Sequence, residues 1–203
     1  MQNKGLLIVI SGPSGAGKGT ICKALLEKNK DIKISVSCTT RMPRDGEIDG
    51  VNYYFINKEK FAEMIEKNDF LEYATVYGNY YGTPRSYVEE EINKGNDIIL
   101  EIDIQGALMV KERYPEGVFI FILPPSMEEL KNRIIKRGSE TEESFNKRFS
   151  AAYDEIKYMS KYDYAVVNDV VEDAVRKVES IIVAEKCRCN RMLKTGYFEQ
   201  EGK

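Results

Sequence analysis

The stretch Leu6–Thr20, LLIVISGPSGAGKGT, decides the fold of this chain. Leu6 to Ile10 is an unbroken apolar run, the pattern of a parallel strand buried on both faces. Gly12, Pro13, Ser14, Gly15, Ala16 and Gly17 form a glycine-rich turn, and Lys18, Gly19 and Thr20 open a helical pattern carrying Ile21, Ala24 and Leu25. Strand, turn and helix start together are the context in which G-x-x-x-x-G-K acquires physical meaning. Glycines let successive backbone N–H groups approach a phosphate chain, the helix N-terminus adds partial positive charge, and Lys18 supplies a mobile full charge. The pattern predicts a nucleoside-triphosphate site. Position 19 is Gly where the strict motif has Ser or Thr, and Thr20 comes one residue late. Mg²⁺ is therefore expected to be held mainly by phosphates and water, with Thr20 a candidate protein contact.

The chain has 203 residues, enough for one α/β domain with small insertions, and a formal net charge of −3. That charge argues against a broad nucleic-acid surface, so any anion site has to be local. No apolar run approaches the ~20 residues of a membrane span and the start lacks a leader pattern, which points to the cytoplasm and to no membrane partner. There are no histidines, which removes imidazole acid–base chemistry and His-ligated zinc. Cys22, Cys38, Cys187 and Cys189 fit no usual zinc spacing, and no resident protein-held metal is expected.

Beyond the first helix, Ile32, Ile34 and Val36 alternate as a half-exposed strand. Residues 36–83 then read as a strand-rich insertion, with Phe70–Val76 and Tyr80–Tyr81 joined through Gly78-Asn79. Thr83 and Pro84 have the character of N-cap and first residue of a helix that Gly95 ends. Ile98–Asp103 and Val118–Leu123 are further buried strands, separated by a short helix over Ala107–Arg113. Ser126 with Glu129 is a capping box opening a helix, and a second helix begins near Thr141. Tyr164–Val167 is the last strand, followed by an amphipathic helix from Val171. Alternation of strands and helices predicts a parallel sheet with right-handed crossovers. The tail from Cys187 has no apolar period, and its last residues are expected to fray.

Three groups of side chains carry possible chemistry. Arg41 and Arg44 flank Pro43 beside Glu47 and Tyr53, and two guanidinium groups with a nearby hydroxyl can grip a phosphate monoester; a solvated charged loop is the other reading. Glu72, Glu101 and Asp103 lie on or at the ends of strands, where acids are uncommon. Carboxylates accept hydrogen bonds in pairs and could read a ring N–H with an adjacent amine, or could simply cap helices and pair with basic residues. Arg133, Arg137 and Arg148 fall on two helices joined by a polar turn, either as mobile cations for a transferring phosphoryl group or as ordinary surface charge.

Taken in order, GPSGAGKGT, SVSCTTRMPRDGEIDGVNYYF, GNYYGTP, LEIDIQG, KNRIIKRGSETEESFNKR and VVND resemble the guanylate kinase family over about Leu6 to Val183. The resemblance implies an α/β fold: a P-loop nucleoside monophosphate kinase core with a parallel sheet and flanking helices, a GMP-binding insertion and a helical lid. It places the core in residues 1–35, 84–125 and 158–203, the insertion in 36–83 and the lid in 126–157. It implies transfer of phosphoryl from MgATP to GMP or dGMP. Ser37, Glu72, Asp103 and Thr83 match guanine-contacting positions, and Glu101 stands where some members have Asp. Arg41, Arg44, Tyr53 and Tyr81 match the acceptor-phosphate clamp, with Glu47 an acid of the same loop. Lys18, Arg137 and Arg148 match the donor-phosphate and transfer-site cations, and Asn168 a position near the adenine.

Two other readings follow from the same fold. A non-catalytic protein-binding scaffold is expected to have lost the loop lysine or glycines, which are intact here. A P-loop kinase for another phosphorylated acceptor is expected to lack the guanine-reading acids, which are present.

Overall fold

The apolar run at the start becomes strand β1 (Leu7–Ser11), buried along its whole length, and its alternating side chains feed two separate cores. Ile8 and Ile10 join Ile99, Ile120 and Ile122 on one face, while Leu7 and Val9 join Ile98, Leu100 and Phe119 on the other. The structure, a computed structural model, describes residues 4–76, 78–136 and 142–194. After β1 come α1 (Lys18–Lys28), β2 (Ile32–Ile34), β3 (Cys38–Thr39), β4 (Tyr54–Phe55), α2 (Lys58–Glu66), β5 (Phe70–Val76) and β6 (Asn79–Pro84). The chain continues through α3 (Arg85–Asn93), β7 (Asp97–Glu101), α4 (Ile104–Arg113), β8 (Val118–Leu123) and α5 (Met127–Lys136). It ends with α6 (Glu142–Lys157), β9 (Tyr164–Val167), α7 (Val171–Lys186) and α8 (Cys189–Lys194).

Five strands form an all-parallel sheet ordered β2-β7-β1-β8-β9. Residues of α1 and α7 cover one face, and Val88 of α3 with Ala107 and Val110 of α4 cover the other. β1 lies between β7 and β8, neither of which follows it directly in the chain. That is a topological switch point, and the crevice at the carboxyl ends of such strands is where open α/β sheets bind ligands.

A second sheet, β4-β3-β6-β5, spans Cys38–Pro84 and has its own small core of Cys38, Phe61 and Phe70. Its β5–β6 hairpin places Glu72 opposite Thr83. A fourth cluster joins Leu130 and Ile134 of α5 to Ala152 and Phe149 of α6.

Several boundaries differ from expectation. Val36 lies outside β2, which stops at Ile34. Thr83 and Pro84 end β6 instead of opening α3, with Pro84 itself the N-cap. The Thr83 hydroxyl donates to Glu72 Oε1 at 2.6 Å and so serves no helix end. β7 stops at Glu101, and α4 starts three residues earlier than expected because Asp103 caps it. Ser126 Oγ accepts from Glu129 N at 3.0 Å, but the Glu129 carboxylate turns to Arg133 Nε instead of completing the box. Within the tail, Cys189–Lys194 forms α8, whose Arg191 bonds to Glu185 and to the Glu116 carbonyl, while the last residues, 195–203, lie outside the described residues.

Candidate active site

At the carboxyl end of β1 the chain turns through the glycine-rich loop into α1, and this loop forms one wall of a cleft of about 290 Å³. Gly12 adopts φ 142°, and a Cβ there would stand 2.3 Å from the Ile122 carbonyl oxygen, so the loop can cross β8 only as glycine. Lys18 Nζ donates to the Gly12 carbonyl at 2.7 Å and the Pro13 carbonyl at 3.2 Å, which holds the ammonium over the loop. Ser14, Gly15, Gly17 and Gly19 face the cleft with Lys18. Pro13 and Ala16 are buried behind them, and Thr20 is exposed outside the lining.

Asn168 braces this loop from below. It is buried, its backbone N–H donates to the Leu123 carbonyl, and its side-chain amide donates to the Ala16 carbonyl at 2.8 Å. Arg133 ties α5 to the same point by donating to the Asn168 carbonyl at 3.1 Å. Asn168 therefore lies under the loop and not in the cleft.

The opposite wall comes from the second sheet and its loop. Arg41 makes a two-pronged contact with Glu47 at 2.8 and 2.9 Å, and the same carboxylate accepts from Arg44 N at 2.7 Å. Arg41 also stacks over the Tyr53 and Phe55 rings, and Tyr53 meets Tyr81 edge-on at 5.9 Å. Pairing with Arg41 holds the Glu47 carboxyl below its usual range. Burial, followed by Glu101 and Tyr81, pushes the Tyr53 hydroxyl up to about 12, so it remains a hydrogen-bond donor at neutral pH. Arg41, Arg44, Tyr53 and Tyr81 line the cleft, with Glu47 behind them. Among the described residues the Arg44 guanidinium makes no close ion pair, although its charge helps to hold the Glu47 carboxyl down.

Deeper in, Ser37 Oγ stands 3.5 Å from Thr83 Oγ1, and Thr83 donates to Glu72. Glu72 is 2% exposed. Burial, with the Asp103 carboxylate nearby, raises its carboxyl to about 7, against the opposing pull of the Thr83 hydrogen bond. Asp103 Oδ1 accepts from Gly106 N at 2.9 Å, which aims the head of α4 at the cleft. Ser37, Glu72, Glu101 and Asp103 all line it. Glu101 ends β7 beside Gly19, where a Cβ would come within 3.3 Å of its carboxylate.

Glu155 of α6 was not anticipated. Its carboxylate accepts weakly from Ser14 N at 3.4 Å, burial raises its carboxyl, and it lines the cleft. The available signal was a charge one turn from Ala152, on the inward stripe of a helix. Arg137 lies outside the described residues, and Arg148 is described only through the backbone of α6. Among the described residues no cluster of three or more acids or cysteines could cage a metal.

The guanylate kinase family profile matches residues 4–185. The guanylate kinase of Clostridium perfringens strain 13 is 70% identical over 191 residues, 94% of this chain and 88% of that protein. That of Clostridium tetani is 68% identical over 201 residues, 99% of this chain and 96% of the relative. The crystal structure of guanylate kinase from Anaplasma phagocytophilum superposes with a TM-score of 0.80 at 36% identity, covering 94% of this chain and 91% of that one.

Proposed function

This chain belongs to the guanylate kinase family, and we propose that it moves the γ-phosphoryl group of MgATP to GMP or dGMP, giving ADP and GDP. The observation that carries the reading is that one cleft joins a phosphate loop bearing Lys18 to a wall holding Arg44, the buried Glu72 and the half-buried Asp103.

On this reading the loop N–H groups and Lys18 take the β- and γ-phosphates of ATP, the lysine exchanging its bonds to the Gly12 and Pro13 carbonyls for phosphate oxygens. Arg44, with Arg41, Tyr53 and Tyr81, grips the phosphate of GMP. Ser37, Thr83, Glu72 and Asp103 read guanine, because ionised carboxylates accept from N1–H and the 2-amino group where adenine has no donors. The acceptor is itself a phosphate and attacks as an anion, so no side-chain base is required. The protein's work is to hold donor and acceptor in line and to neutralise charge.

The residues present fit a Mg²⁺ held through phosphates and water: Gly19 and the neighbouring Glu101 leave hard oxygen at the loop without a protein cage. Bound there, the ion would neutralise charge on the phosphate oxygens; Thr20, in the first turn of α1, stands exposed outside the cleft lining. Arg137 and Arg148, in a lid over 126–157, would meet the phosphoryl group as that lid closes over the core and excludes water. Asn168 serves ATP by holding the loop's shape.

A coupled assay of ADP release with GMP, dGMP, AMP, UMP and CMP tests the assignment. Turnover confined to the guanine nucleotides is expected; equal or faster turnover with another monophosphate would sink it.

A further inference from the structure

The two acids assigned above to guanine converge on one glycine. Gly106 is buried in the first turn of α4; its N–H donates to Asp103 Oδ1 at 2.9 Å. On its other side, a Cβ at position 106 would stand 2.4 Å from Glu72 Oε2 and 2.9 Å from Glu72 Cδ, closer than real Cβ atoms come. Backbone conformation does not call for glycine here. Gly106 is helical with negative φ, a place where glycine costs roughly 1 kcal/mol relative to alanine. Nor can Glu72 swing aside freely: it is buried, and its other oxygen is held by Thr83 at 2.6 Å. The space that a side chain at 106 would fill is occupied by a carboxylate.

We propose that Gly106 is a positioning residue for base selection: its missing side chain sets where the Glu72 carboxylate stands beside Asp103. The inference rests on the guanine reading of those acids. Gly106 is not among the residues that line the cleft, and its missing side chain acts through Glu72. A Cβ at 106 pushes the carboxylate off its line to guanine while leaving the phosphate loop untouched.

The test is Gly106→Ala, alone and with Glu72→Asp, whose carboxylate is one methylene shorter and makes room for the new Cβ. KM for GMP and for ATP, the GMP/IMP ratio in kcat/KM, and GMP binding by calorimetry are measured with the thermal midpoint. For Gly106→Ala, GMP affinity is expected to fall roughly 10- to 100-fold, the loss that follows when a charge-assisted hydrogen bond is displaced. KM for ATP should stay within about twofold, because no donor-side group moves. The double variant should lose less than the product of the two single losses. If Gly106→Ala leaves GMP affinity and the GMP/IMP ratio at wild-type values while Glu72→Gln lowers both, the inference fails and the guanine reading stands. If Glu72→Gln is also silent, the guanine reading itself fails. Should Gly106→Ala fold only when joined to Glu72→Asp, the steric conflict is confirmed. Failure to fold in both backgrounds, or equal losses for both substrates, would show that Gly106 serves helix packing and overturn the proposal.

Discussion

Glu72→Gln is expected to make the ligand-free protein more stable above neutral pH and to leave it nearly unchanged in acid. Glu72 is 2% exposed and its carboxyl is raised from 4.5 to about 7. The folded state therefore binds more protons than the unfolded state between those values, and stability falls as pH rises through that window. Below about pH 4.5 both states are protonated and the penalty shrinks to a few tenths of a kcal/mol; above pH 7 it is fully present. At ~1.4 kcal/mol per pH unit, the shift corresponds to about 3 kcal/mol. An uncharged amide removes this cost but brings an N–H₂ that needs a partner, so a net gain of about 1–3 kcal/mol is expected near pH 8. For a domain of this size that is roughly 3–10 °C in Tm. Thermal unfolding of wild type and variant without nucleotide, near pH 8 and near pH 4.5, measures it. A variant no more stable than wild type near pH 8, or an equal gap at both pH values, would refute the reasoning. In this account the buried charge is tolerated because it is needed for the base, a site where function opposes stability.

Lys18→Ala should cut kcat far more than it raises either KM, since charge on the transferring group is greatest in the transition state; near-normal kcat in a folded variant would falsify the phosphate-loop assignment. Arg44→Ala should raise KM for GMP by about tenfold or more with KM for ATP little changed, and Arg44→Lys should restore only part, because an ammonium lacks the planar fork. An equal loss for ATP would move Arg44 to the donor side. Glu47→Gln breaks the two-pronged contact that aims Arg41, so KM for GMP should rise several-fold, roughly 1 kcal/mol of acceptor binding; unchanged steady-state kinetics with GMP would mean that Arg41 needs no such support.

What could be read from the sequence was what is local. The strand, loop and helix of Leu7–Lys28 form from neighbours in the chain, as do the Ser126 cap and the left-handed Gly78 of the hairpin, φ 81°. Arg41, Arg44 and Glu47 share one loop, and their contact follows from that closeness. What could not be read depends on which distant segments meet. Thr83 has the composition of a helix cap, but strand pairing sets it opposite Glu72 and the hydroxyl goes there. Asp103 resembles a strand end until α4 is seen to begin on it. Asn168 and Glu155 touch the phosphate loop from more than 140 positions away, and no periodicity announces such a contact. Residue type identified most members of the site; fold topology decided which face the cleft and which stand behind it.

The place of β1 in the sheet also bears on the order in which the molecule is made. Its hydrogen-bond partners are β7 and β8, so Leu7 waits for Ile98 and Ile8 for Val118. Strand β1 can complete its β7 edge only when about half of these 203 residues have been synthesised, and its β8 edge only after Leu123. Cys38–Pro84, by contrast, holds its own sheet and its own small core in one contiguous segment. Local pairing closes shorter loops and forms sooner. The acceptor half is therefore expected to take shape while the nascent chain is still growing, and the phosphate loop to be assembled late. Protease resistance of ribosome-stalled chains would reveal this order as an early-protected fragment around Phe61 and Phe70, with protection of β1 appearing only once β8 has emerged.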